Sequence, residues 1–241
     1  MTSLGIIQAR MGSSRLPGKV LRRLSGRTVL ERVVLAAQHS GVLDELVVAT
    51  TVEDADDAIV AECEAIGVPC YRGPVDDVLT RFLGVLDQHE SDIVLRFTAD
   101  CPLLDPNLVA RAHRVFVAAG VDYMTTSITR TLPLGLDVEV VRTRVLRAID
   151  ALATGHHRVH VTSYIYTHPS DFDVAGLTIQ PDRSHLRLTL DTEDDWKLIE
   201  TIVDHFGDAP IGVRALTDWL GARPELAELN VHVRQRALDQ A

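Results

Sequence analysis

Cysteine is scarce, cations are outnumbered and long apolar runs are missing from this chain of 241 residues. The three cysteines, Cys63, Cys70 and Cys101, have neither the paired spacing of metal ligands nor the even number of a disulfide framework, so reduced thiols are expected. Lys and Arg total 24 against 34 Asp and Glu, a net charge of −10, which argues against non-specific binding to nucleic acid or to an anionic membrane surface. No apolar run reaches the ~18 residues of a membrane span, and the first residues lack the basic, apolar and small-residue succession of a secretory leader. The expectation is a cytoplasmic protein that engages neither nucleic acid nor membrane. Internal repeats and low-complexity linkers are absent too, and an apolar fraction of 46% over this length suits one large α/β domain.

Against that acidic background one short segment stands out. Residues 4–8 form an apolar, strand-like run that empties into Ala9-Arg-Met-Gly-Ser-Ser-Arg-Leu-Pro-Gly-Lys19. Gly12 and Gly18 let backbone approach a ligand closely, Ser13 and Ser14 offer hydroxyls, and Arg10, Arg15 and Lys19 gather three positive charges. Like charges so close together in an acidic protein call for an anion, and a polyphosphate fits; an exposed basic turn is the plainer alternative. The segment is not a Walker loop, because Val20 rather than a hydroxyl follows Lys19, and it is not a dinucleotide-binding glycine turn.

The rest of the chain alternates strand and helix patterns. Thr28 and Glu31 have capping-box spacing ahead of a helix over 29–37 that Gly41 stops. Strands are expected at 46–50, 68–71 and 93–97, with helices over 54–66 and 75–86 between them. Strands nearly continuous in branched residues and separated by helices predict a mostly parallel sheet covered on both faces, whose ligands bind beyond the carboxyl ends of the strands. Thr98 and Asp100 follow the 93–97 strand directly. Asp100 is placed there to hold Mg2+ against phosphate, an Asx turn before Pro102 being its plainer role, whereas Asp105-Pro106 has the form of a cap for a helix to 119.

Beyond residue 121 the patterns predict strands at 121–125, 137–141, 172–180 and 186–191, and helices over 142–153, from 156, from 191 to 206 and from 218 to the end. Asp137 and Glu139, two apart, would share one face of their strand. His156, His157, His160 and His168 carry no zinc signature and are expected to meet solvent or substrate rather than a metal. Asp191 either caps the helix that follows it or completes a divalent-metal site with Asp100, and local spacing leaves both open.

Four segments in order, residues 7–21, 97–106, 135–140 and 186–195, resemble the acylneuraminate and 3-deoxy-manno-octulosonate cytidylyltransferase family, and within it the spore-coat-polysaccharide branch. The resemblance implies an α/β, mostly parallel Rossmann-like sheet of the nucleotide-diphospho-sugar transferase type, with helices on both faces. It implies a single domain over 1–241, with roughly 127–181 as an insertion for dimerisation and the acceptor. The implied reaction joins CTP to the hydroxyl of a small acidic acceptor and releases pyrophosphate, with Mg2+ as cofactor and a homodimer as the assembly. Gln8, Ala9, Arg10, Gly12, Ser13, Arg15, Lys19 and Thr98 would bind the nucleotide, with Arg10, Lys19 and Asp100 catalytic. Asp100 and Asp191 would hold the metal, and Asp137, Glu139, Arg158 and His160 would serve the acceptor.

Two positions depart from the family pattern as we read it: Ala99 where glycine is expected, and Val159 where a carboxylate is expected in Arg158-Val-His-Val-Thr162. The second leaves open an acceptor other than a sugar acid, such as a phosphonate or another carboxylated alcohol. A glycosyltransferase with a similar sheet is the second reading, disfavoured because Asp100-Cys-Pro lacks the second acid of an Asp-x-Asp motif. A nucleotide-binding partner without catalysis is the third, disfavoured because the loop cations and both candidate carboxylates are present.

Overall fold

A computed structural model of the chain describes residues 1–235. Its elements in order are β1 (Ser3–Gln8), the short hairpin β2 (Arg23–Leu24) and β3 (Arg27–Thr28), α1 (Val29–His39), β4 (Glu45–Thr51), α2 (Asp57–Ile66), β5 (Cys70–Gly73), α3 (Val78–Gln88) and β6 (Ile93–Thr98). There follow α4 (Pro106–Ala119), β7 (Tyr123–Thr125), β8 (Glu139–Arg142), α5 (Thr143–Ile149), α6 (His156–Val159), α7 (Ser163–Thr167), β9 (Val174–Gly176), α8 (Glu193–Phe206), α9 (Val213–Gly221) and α10 (Pro224–Ala227). Seven strands form one sheet in the order β5-β4-β1-β6-β8-β7-β9. All neighbours pair parallel except β8, which runs antiparallel to both β6 and β7.

Alternation along the strands sends side chains to two cores. Ile7, Val48, Leu95 and Phe97 point to the face covered by α1, α2, α4 and α8. Leu4, Ile6, Val47, Ala49 and Val94 point to the other, where Phe82 and Val85 of α3 and Leu146 and Ile149 of α5 meet them. Burial on both faces is why these strands are apolar throughout, since neither side is left to water. Each fully buried Leu, Ile or Phe contributes about 1.5–3 kcal/mol.

Several boundaries differ from the sequence pattern for local reasons. The third strand begins at Cys70 rather than at 68, because Pro69 has no N–H to give a neighbour. Helix α3 starts at Val78 because the Asp77 carboxylate accepts the Thr80 N–H at 2.8 Å, leaving Val75 outside it. Only half of the capping box at α1 forms: Thr28 accepts the Glu31 N–H, while the Glu31 carboxylate turns to Arg27 at 2.7 Å. The helix expected over 142–153 is confined to α5, and the strand expected over 172–180 is reduced to β9.

No strand forms over 186–191. The backbone is extended there, but its partners are loops: the Leu188 N–H donates to the Leu134 carbonyl at 2.6 Å and the Leu190 N–H to the Asp100 carbonyl at 2.9 Å. The close crossing needs Gly135, at φ 103°, where a Cβ would sit 2.4 Å from the Thr189 nitrogen. At the C-terminal end the chain forms α9 and α10 where one helix from 218 is expected, and residues 236–241 of that expected helix lie outside the described residues.

Candidate active site

Strands β1 and β6 are neighbours in register, Gln8 opposite Thr98, so the loops that leave them emerge side by side. The loop after β1 is shaped by its own backbone. The Ser13 and Gly18 N–H groups both donate to the Met11 carbonyl, at 2.9 and 3.1 Å, and the Ser13 hydroxyl accepts the Leu16 N–H at 3.3 Å. Buried Asp56, ahead of α2, accepts the Met11 N–H at 2.7 Å and anchors the start of the loop to β4 through Thr51. Gly18, at φ 68°, closes the loop in the left-handed region and turns Lys19 inward.

Lys19 is the hub. Its buried ammonium donates to Asp100 Oδ2 at 2.8 Å, Asp191 Oδ1 at 2.8 Å and the Leu190 carbonyl at 2.6 Å. Burial lowers the Lys19 pKa, but the two carboxylates outweigh it, so the group sits above its ordinary value and stays charged. Asp191 carries more than this one cation: Arg15 lies 2.9 Å and Arg187 2.7 Å from its second oxygen. Burial raises the Asp191 pKa, yet Lys19, Arg15 and Arg187 bring it below the usual carboxylate range.

Asp191 does not cap α8. Thr192 caps α8, its hydroxyl accepting the Asp195 N–H while the Asp195 carboxylate accepts the Thr192 N–H at 2.9 Å. Asp191 is therefore released from capping and turned toward Lys19. Asp105 is a cap, accepting the Asn107 N–H at 2.8 Å and also the Val213 N–H at 2.8 Å.

Asp100 and Asp191 supply hard carboxylate oxygens on one ammonium. Among the described residues no cluster of three or more His, Cys, Asp or Glu gathers closely enough to hold a metal alone. A divalent cation here would draw the rest of its shell from phosphate and water, which is the habit of Mg2+. The donor set fits that ion.

The remaining residues singled out in the sequence divide clearly. Arg10 and Gly12 are exposed at the loop, Ala9 is buried and donates its N–H to the Ala49 carbonyl, and the Thr98 hydroxyl is 3.2 Å from Cys101 Sγ. Gln8 and Glu139 belong to a closed network around Arg96, which donates to Gln8 Oε1 from Nε at 3.1 Å and Nη2 at 3.0 Å, and from Nη1 to Glu139. The other Glu139 oxygen accepts from Tyr123 at 2.9 Å and from Thr162. Asp137 lies before β8, not on it, and takes Arg130 at 2.7 Å; burial raises its pKa against that pairing. Arg158 ties α6 to α3 through Asp77 and Thr80, and also holds Asp150. His160 lies in the turn between α6 and α7.

Three structural partners of the site went unmarked in the sequence: Arg96, Arg187 and Asp56. A cation inside the apolar strand Ile-Val-Leu-Arg-Phe was the available signal for Arg96, and Arg187 in Leu-Arg-Leu-Thr-Leu carries the same one. Asp56 looked like any other acid in an acidic helix start.

The family described as cytidylyltransferase matches residues 4–214, nearly nine-tenths of the chain. The chain belongs to the cytidylyltransferase family. A relative in Bacillus subtilis (strain 168), the spore coat polysaccharide biosynthesis protein SpsF, is 34% identical over 93% of this chain and 96% of its own. Among solved structures, a cytidylyltransferase from Leptospira borgpetersenii superposes with a TM-score of 0.91 at 26% identity, over 98% of this chain and 99% of the other. The fold is shared more distantly with a CMP:2-keto-3-deoxy-manno-octonic acid synthetase solved with CTP, at TM-score 0.65 and 15% identity over 85% of this chain and 99% of that one. This cytidylyltransferase thus has the α/β sheet and helix cover that its sequence predicts, and no helix among its described residues is long and apolar enough to cross a membrane.

Proposed function

We propose that this cytidylyltransferase transfers CMP from CTP to the hydroxyl of an acidic sugar or related acidic alcohol, releasing pyrophosphate in an Mg2+-dependent reaction. The observation that carries the reading is the Lys19 ammonium held between Asp100 and Asp191 at 2.8 Å each, beneath the loop that bears Arg10 and Arg15. The acceptor hydroxyl oxygen forms a bond to the α-phosphorus as the bond from that phosphorus to the α–β bridging oxygen breaks; the electron pair leaves with pyrophosphate, and the hydroxyl proton passes to solvent. In such a displacement the protein positions the reactants and neutralises charge.

Asp100 and Asp191 are the residues that would hold Mg2+, which when bound supplies charge neutralisation at phosphate oxygens. Arg15 and Lys19 face the leaving pyrophosphate, Arg10, the Gly12 backbone and the Ser13 hydroxyl serve the phosphates, and Gln8, Ala9 and Thr98 line the nucleoside side. Arg15, with its planar fork, suits paired oxygens, and Lys19 acts as a point charge. Asp137, Glu139, Arg158 and His160 shape the acceptor side, the first three through the partners they already hold. Val159 packs beside the core under α3 and α5, so the carboxylate missing there does not by itself move the reading away from a sugar acid. The names of the relatives, one in polysaccharide biosynthesis and one solved with CTP, support the same substrates, and a cytoplasmic homodimer with residues 127–181 in its interface completes the proposal.

The test is pyrophosphate release with Mg2+ and each of the four ribonucleoside triphosphates, across carboxylated sugars and phosphonates. Release confined to CTP and a sugar acid is expected. Release with another triphosphate and none with CTP overturns the reading.

A further inference from the structure

Arg81 is a strongly buried cation on α3. It sits one turn into α3, on the face that carries Val78, Phe82 and Val85 into the core, and it is only 2% exposed. Its stem lies over the end of β5: a Cβ on Gly73 would come within 3.1 Å of Arg81 Cγ. Its Nε is buried and has no hydrogen-bond partner among the described residues.

The carboxylates nearest in charge are already engaged. Asp56 accepts from the Met11 N–H, the Thr51 N–H and the Thr51 hydroxyl. Asp77 holds the Arg158 guanidinium at 2.5 Å and the Thr80 N–H at 2.8 Å. The other charge that Arg81 feels is Arg10, a second cation on the loop after β1, and burial followed by Arg10 holds the Arg81 pKa below its ordinary value. A guanidinium in the first turn of a helix, buried and with an Nε–H that has no partner, is unfavourable until an oxygen acceptor arrives.

We propose that Arg81 is a nucleotide-binding residue whose guanidinium, beside Arg10, donates to oxygen acceptors of bound CTP. The inference rests on the proposed function for its ligand. It adds a residue from α3, across β4 and β5, to a site otherwise drawn from the loops after β1 and β6. Phosphate oxygens and the carbonyl or hydroxyl oxygens of the nucleoside offer the same chemistry to the guanidinium.

The experiment is calorimetric titration of CTP into the wild-type protein, Arg81→Met and Arg81→Lys, with thermal unfolding of each protein without nucleotide. Arg81→Met keeps the packing of the stem and removes the charge. It is expected to weaken CTP roughly 10–100-fold, the loss of hydrogen bonds from a charged donor, while the unfolding midpoint without CTP stays level or rises. Arg81→Lys should recover part of the affinity, since it restores the charge without the fork. Repeating the titration with pyrophosphate and with cytidine locates the contact: a loss confined to one of them names the phosphates or the nucleoside. CTP affinity unchanged in Arg81→Met overturns the proposal, and so does a fall in the midpoint matching the fall in affinity, which marks a structural arginine. Should Arg81→Met fail to fold, Arg81→Gln answers the same question. Wild-type protein that does not bind CTP refutes the proposed function itself, a failure visible without any variant.

Discussion

Two polar networks meet at the carboxyl ends of β1 and β6. Around Arg96, a guanidinium donates to Gln8 and Glu139, and the remaining Glu139 oxygen is taken by Tyr123 and Thr162. Around Lys19, an ammonium holds Asp100 and Asp191, and Asp191 holds two more cations. The first is saturated by residues of β1, β7 and β8 and by Thr162 ahead of α7. The second gathers cations at a loop, and a polyphosphate brings the acceptor oxygens they can exchange onto. A closed network fixes the floor of a site, and an exchangeable one does its chemistry.

The largest expected effect separates the two as structure and function. Arg96→Met leaves the Glu139 carboxylate buried beside Tyr123 with no cation, and removing one member of a buried pair costs about 3–5 kcal/mol. For a chain of this size that lowers the unfolding midpoint by roughly 10 °C, read by calorimetry. An unaltered midpoint breaks the distinction, because the Arg96 network would then not be what holds the floor. Lys19→Met comes next and moves a different quantity. Pyrophosphate release should fall roughly 10²–10³-fold, the usual effect of deleting one preorganised donor, in protein that still folds. Full activity in Lys19→Met would remove the hub from the mechanism.

Gly135→Ala tests the crossing that carries Asp191 to Lys19. A Cβ there meets the Thr189 nitrogen and the Leu188 carbonyl, both backbone atoms, at a positive φ. Overpacking and left-handed strain together cost about 2–3 kcal/mol in urea unfolding. Wild-type stability in this variant would mean that the 131–136 and 186–190 segments have room to part.

The sheet was legible because its signals are local. Branched residues at β1, β4 and β6, Gly at the ends of α2 and α4, and Asp105-Pro106 each act within a turn or two of chain. The loop after β1 was legible for a similar reason, since three cations in eleven residues of an acidic chain are unusual wherever they fold. What stayed hidden depends on partners far along the chain. Nothing near Asp191 says that Thr192 takes the cap and frees it, and nothing near Glu139 says that Arg96, 43 residues earlier, fills its first oxygen. Residues 186–191 have the composition of a strand, but whether they join the sheet depends on the loop holding Gly135. Arg158 and Glu139, assigned to the acceptor by family pattern, are bound to protein partners that only the packed structure brings to them.

The smallest expected effect concerns how the Lys19 hub responds to pH. Burial works against both charged groups, yet Lys19 is held above its ordinary 10.5 and Asp191 below its ordinary 3.8, each by the other's charge and its neighbours. A carboxylate with a depressed folded pKa contributes stability above its unfolded value, and the contribution is lost as pH falls through the folded one. An ammonium with a raised folded pKa contributes fully below its unfolded value, and loses the contribution as pH rises through the folded one. The difference in unfolding free energy between wild type and Asp191→Asn should therefore be level from about pH 5 to about pH 9 and shrink below about pH 4. Saturating CTP sharpens the reading, since phosphate oxygens that draw Lys19 away from Asp191 should flatten the acid limb of that curve.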